Sequence, residues 1–161
     1  MTEKLMTTAP PDSYWAGYFD GEGNVGFHTR ADGSLPRIRI GVKSANLPSL
    51  QALQARFGGK VVLCSVPTAR NKSLYRWRIG SLHDCHAFVR AVEPYSIEKR
   101  EQLTLARHWL DHRAEIPLRG CRSPETRCMA HEIRAAILAQ KRLDFFTSSM
   151  VAEAGGIEGK V

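Results

Sequence analysis

The sequence predicts an α+β domain in which one four-stranded antiparallel sheet carries helices on its apolar face. Three observations lead there. Segments 23–30, 37–43 and 74–80 alternate side chains with a period of two, the pattern of half-buried strands. The stretches between and after them change to helical spacing and are punctuated by Gly and Pro. No run approaches the roughly 18 apolar residues that would argue for a membrane span, and 161 residues are enough for one real core.

Pro10 and Pro11 break the chain before a first helix over Tyr14–Asp20, with Asp12 or Ser13 as its cap and Gly21 and Gly23 at its end. In GNVGFHTR, Val25, Phe27 and Thr29 alternate with Asn24, Gly26, His28 and Arg30, which makes a strand. RADGSLPR contains Asp-Gly and reads as a hairpin connection. RIRIGVK is the cleanest strand: Ile38, Ile40 and Val42 share one face, and Arg37, Arg39, Gly41 and Lys43 the other. A helix over Leu47–Phe57 stops at Gly58 and Gly59. KVVLCSV is the third strand. After the polar loop PTARNKS comes the fourth, LYRWRIG, with Tyr75, Trp77 and Ile79 opposed to Arg76 and Arg78. Helices then cover His83–Val92, Tyr95 to His112, and Thr126–Leu143. The expected organisation is a disordered lead-in (1–12), one domain (13–146) and a flexible tail (147–161).

Charge sharpens the picture. The net charge is +7, and 16 of the 23 cations are Arg, whose planar fork suits phosphate oxygens and guanine edges. His28, Arg30, Arg37, Arg39, Lys43, Arg76 and Arg78 all fall on the polar face of the sheet, and Arg70 and Lys72 extend the set from a loop. Cations facing one another across strands repel unless an anion relieves them. A basic ribbon of this kind has the width of a DNA groove, so the expected partner is nucleic acid. The four cysteines, Cys64, Cys85, Cys121 and Cys128, form no paired CxxC, and no zinc site is assigned. MTEKLMTTAPPDS lacks the apolar stretch of a secretory signal, so an intracellular setting is expected, bacterial or phage cytoplasm before an organelle.

The first helix holds two glycines, at a cost of about 1 kcal/mol each in a helix interior. Its sequence, WAGYFDGEG, resembles the nine-residue motif of the LAGLIDADG homing endonucleases. Ala16, Gly17, Asp20 and Gly23 match the family letters; Trp15, Tyr18 and Phe19 fill its apolar positions. VEPYSIEKREQL is similar to the later family segment in which a Pro-Tyr pair precedes an active-site lysine, here Lys99. The resemblance covers residues 13 to 112 in element order. It implies an α-β-β-α-β-β-α core with a saddle-shaped sheet. The motif helix would pair with its copy in a second subunit through Gly17 and Gly21.

The resemblance also implies a chemistry. Single-motif members act as homodimers that cut both strands of a long, roughly palindromic duplex, and their genes lie in introns or inteins. Glu22 would be the metal ligand, with the Gly21 carbonyl beside it. Lys99 would act near the metal-bound waters, and Asp20 would hold the turn or form a salt bridge across the dimer rather than bind metal, although it counts among the candidate catalytic residues. Asn24, Gly26 and the cations named above would face DNA. Mg2+ is the implied cofactor, Mn2+ would substitute, and Ca2+ would support binding without cleavage. The family's glutamine at the end of the second strand is missing: Val42 or Ser44 stands there, with Lys43 between them. The competing reading is a relative that binds without cutting, as an RNA maturase or a DNA-binding regulator; retention of Glu22 argues against it.

Overall fold

A computed structural model describes residues 9–28, 35–67, 72–116 and 123–154, with side chains as far as Leu143. Helix α1 (Asp12–Glu22) leads into strands β1 (Gly23–His28) and β2 (Arg37–Ser44). Helix α2 (Leu47–Phe57) precedes β3 (Lys60–Ser65) and β4 (Leu74–Ile79). Three helices close the chain: α3 (Leu82–Val92), α4 (Arg100–Glu115) and α5 (Pro124–Ala154), with a 3-10 turn at Glu93–Tyr95. The strands form one antiparallel sheet in the order β1-β2-β4-β3, so β1 and β3 are its edges. Among the described residues no helix is long and apolar enough to cross a membrane.

The alternation in RIRIGVK has its expected outcome: Ile38, Ile40 and Val42 are buried while Arg37, Arg39 and Lys43 are exposed. Helices cover the apolar face, and the core centres on Phe88 of α3. Its ring meets Phe19 of α1 at 5.1 Å, Phe57 of α2 at 5.0 Å and Trp77 of β4 at 5.4 Å, all inclined. Inclined aromatic contacts set the positive ring edge against the negative face, which adds to simple area burial. The indole of Trp77 also donates to the Gly58 carbonyl at 2.9 Å. Phe88 thus ties α1, α2 and β4 to α3.

Four expectations from the sequence need correction. Helix α1 begins at Asp12 and not Tyr14, directly after Pro11, and no side chain caps it. Asp12 instead pairs with Arg56 of α2 at 3.2 Å. Gly21 does not stop the helix, which runs through Glu22 and ends at Gly23. A Cβ on Gly23 would lie 2.2 Å from the Phe19 ring, so only glycine lets the chain turn into β1 there. The helix expected from Tyr95 starts at Arg100, for a reason given below. Finally, α5 exceeds the expected Thr126–Leu143 at both ends. The connection at Arg30 to Ser34 and the loop around Arg70 lie outside the described residues.

Phe88→Ala removes the shared ring and leaves a cavity between three elements. The expected loss is about 3–5 kcal/mol of unfolding free energy, read by chemical denaturation followed by tryptophan fluorescence.

Candidate functional site

Helix α1 has two different sides. Trp15, Ala16, Phe19 and Asp20 point inward. Tyr14, Gly17, Tyr18 and Gly21, spaced i, i+3, i+4 and i+7, share the opposite face. The rings of Tyr14 and Tyr18 are nearly parallel at 6.4 Å. Gly17 and Gly21 are exposed, and a Cβ on either would meet nothing within 4 Å. Neither glycine is required by packing within the chain.

Asp20 turns inward and is only 9% exposed. Its carboxylate accepts from the Ser96 hydroxyl at 2.5 Å and from the backbone N–H groups of Ile97 at 2.7 Å, Lys99 at 3.2 Å and Glu98 at 3.3 Å. These donors precede α4, so a carboxylate from a distant helix does the work of an N-terminal cap. That competition holds Ser96–Lys99 out of the helix that local spacing predicts. Burial raises the Asp20 pKa, but the bonds from Ile97, Ser96, Lys99 and Glu98 outweigh it and set it below its usual value of 3.8. The Lys99 ammonium donates to the Asp20 backbone carbonyl. It thereby sits at the C-terminal end of α1, where the helix dipole favours a cation.

Glu22, the last residue of α1, is exposed and opens onto a groove of about 470 Å³ lined by Asn24, His28, Arg39, Ile40, Gly41, Lys43, Arg76 and Arg78. The acid and much of the basic sheet face therefore share one surface. The register places Lys43 opposite Arg76 and His28 opposite Arg37. Lys60 of β3, a cation whose face the strand pattern left unassigned, stands opposite Arg78. Burial, then the charges of Arg39, Lys141 and Arg134, lower the His28 pKa below 6.5, so its imidazole is largely neutral at pH 7. Gly26 is half-buried opposite Arg39, and Lys72 is exposed before β4. Arg30 and Arg70 lie outside the described residues. Val42 is in the core and Ser44 accepts from the Asn46 N–H at 3.1 Å, whereas Lys43 lines the groove.

The helical pattern of α5 did not announce Lys141 or Arg134 as neighbours of the groove; only the packing of α5 beside β1 reveals them. Lys141 donates to Asn24 Oδ1 at 2.6 Å and to the Val25 carbonyl at 2.5 Å. Burial, and then the charge of Lys99, lower its pKa below the usual 10.5.

The four-stranded sheet with helices on one face coincides with solved structures. The fold is that of the LAGLIDADG homing endonucleases. The homing endonuclease I-CvuI, solved with an uncleaved I-CreI target in the presence of Mg, superposes with a TM-score of 0.63 at 18% identity over 80% of each chain. I-SmaMI, a LAGLIDADG homing endonuclease bound to cleaved DNA, gives 0.64 at 19% identity over 80% of this chain and 44% of its own. The archaeal intron-encoded I-Vdi141I, complexed with DNA, gives 0.55 at 16% identity over 76% and 80%. No protein-family model matches the sequence, and no curated protein matches it. The homing endonuclease fold is thus kept at sequence identities below a fifth.

Asp20→Asn leaves one oxygen where two served four donors. It should lower stability by about 2–3 kcal/mol at neutral pH, the scale of charge-assisted hydrogen bonds. Because the folded-state pKa is depressed, the wild-type contribution is complete above the unfolded value near 3.8 and fades as pH falls through the lower folded value. The difference between variant and wild type, measured by urea denaturation at stepped pH, should shrink across that range.

Proposed function

We propose that the chain is a LAGLIDADG-type, site-specific DNA endonuclease acting as a homodimer on both strands of a long, roughly palindromic duplex. The observation that carries this reading is the groove that joins Glu22 to the cations of the sheet. Cations opposed across strands make the empty face electrostatically unfavourable, and a phosphate backbone would relieve it. Arg37, Arg39, Lys43, Lys60, Arg76 and Arg78 would track the duplex, with Asn24 and Lys43 at the Glu22 end of their strands and His28 and Arg37 at the far end. I-CvuI, I-SmaMI and I-Vdi141I are all described with DNA, and I-SmaMI with cleaved DNA.

The outer face of α1 supports the dimer. Two glycines weaken this helix with no return inside the chain, and a second helix backbone could approach closely over both. Tyr14 is 49% exposed, and among the described residues the buried Tyr18 hydroxyl has no hydrogen-bond partner. Ile97, whose N–H binds Asp20, is 86% exposed beside the same helix end. Pairing through this face would bring two Glu22 carboxylates together at the two-fold axis.

Among the described residues no three His, Cys, Asp or Glu side chains converge as a metal site. The oxygen set of Glu22 and the Gly21 carbonyl nevertheless suits Mg2+, which takes one or two carboxylates and otherwise water and phosphate oxygens. Mn2+ would substitute, and Ca2+ would support binding without cleavage. When bound, the ion supplies an acidified water and charge stabilisation for the leaving oxygen. Glu22 would hold it. Lys99, anchored at the Asp20 carbonyl, would add positive charge where the phosphate becomes more negative. Asp20 would act through Lys99, by fixing the segment that carries it.

Gly17→Leu fills the space the partner helix needs and should convert a dimer to a monomer in light scattering while leaving the fold intact. Glu22→Gln preserves shape but removes the charge, so plasmid carrying the native insertion site should stay uncut in Mg2+ while still shifting in a gel with Ca2+. Cutting at the wild-type rate by this variant would place the chemistry elsewhere.

A further inference from the structure

Helix α5 touches β1 through a contact that constrains what β1 can present to a ligand. The Lys141 ammonium bonds both the Asn24 side-chain oxygen at 2.6 Å and the Val25 carbonyl at 2.5 Å. Val25 lies on an edge strand, and its carbonyl fixes the ammonium to the backbone. A lysine ammonium has three donors and no acceptor, so only the oxygen of the Asn24 amide can face it. Asn24 is exposed and lines the groove. With its oxygen drawn toward α5, its amino group is the half of the amide turned away from Lys141 and left for a ligand.

This orientation changes what Asn24 can read. A free asparagine pairs bidentately with adenine, donating to N7 and accepting from the N6 amine. An asparagine whose oxygen is turned toward Lys141 presents its N–H donors to a base; these match the O6 acceptor of guanine beside N7, whereas the N6 amine of adenine, itself a donor, meets no acceptor there. We propose that Lys141 sets the base preference of Asn24, holding its amide as a donor that selects a guanine edge over adenine. The proposal rests on the reading of the groove as a DNA surface. Lys141 touches no base in this scheme; it is a positioning residue that acts through Asn24.

The test is selection from a library of randomised double-stranded DNA in Ca2+, followed by sequencing, with full-length wild type and variants. Wild type should enrich guanine at one position in each half-site, and Asn24→Ala should flatten that position alone. Lys141→Met frees the amide and should move the preference to adenine, changing the guanine-to-adenine ratio about tenfold or more, the scale of one bidentate contact. Lys141→Arg, still a pure donor, should keep guanine. Lys141→Glu would accept from the amino group and turn the oxygen outward, favouring cytosine through its N4 donor; it keeps the proposal testable if Lys141→Met does not fold. A clamp that merely docks α5 would weaken enrichment at all positions alike, and that result, or an unchanged guanine, overturns the proposal. If wild type enriches no sequence, the DNA reading itself fails.

Discussion

The Asp20 carboxylate joins three parts of the molecule that chemistry at Glu22 would need together. It lies two residues before Glu22 and grips the segment leading into α4 through four donors. The same residue's carbonyl receives Lys99. The end of α1, the amine of Lys99 and the segment before α4 are therefore tied to one another. A buried carboxylate is costly to leave unpaired, and these bonds both satisfy it and fix the direction of the chain. The two acids of the opening motif have opposite fates: one is spent on architecture, the other is left exposed.

The sheet shows the reverse economy. Its inner face is packed against aromatic rings, while its outer face sets Lys43 against Arg76 and Lys60 against Arg78. Directly opposed like charges oppose folding. The packing around Phe88 offsets this repulsion, which lets a strongly basic surface exist on the folded chain. The pKa of His28 is lowered first by burial and then by the charges of Arg39, Lys141 and Arg134. On the edge of that surface α5 adds Arg134 and Lys141, so the basic surface is built from both ends of the chain.

What the sequence made legible follows the range of the forces involved. In Arg37–Lys43 one buried face and one charged face fix both strand and register, and the period alone reads them. The span of α2 was legible to the residue because Gly58 and Gly59 adopt positive φ, 74° and 86°, where a helix cannot continue. Residues 96–99 have helical local spacing but are not helix, because the opposing force is Asp20, far away in sequence. Gly21 looked like a terminator for the same reason: composition shows a glycine, but not that Gly23 alone lies against Phe19. Glu22 and Lys99 were legible as candidates through the motif. Lys60, Arg134 and Lys141 were not, since their place beside the groove is set by packing between elements.

The strand order carries a consequence for how the chain reaches this structure. Two of the three strand pairings, β1 with β2 and β3 with β4, join neighbours in sequence. Only β2 with β4 must be brought together across α2 and the whole of β3. Each outer pair can zip locally at small loop-closure entropy, whereas the central seam has to wait for a longer loop to close. Phe88 is contributed by α3, downstream of both pairs, and it touches α1, α2 and β4. The aromatic cluster behind the sheet is therefore completed by a residue synthesised after every strand, and the nascent sheet lacks that part of its core until α3 has been made.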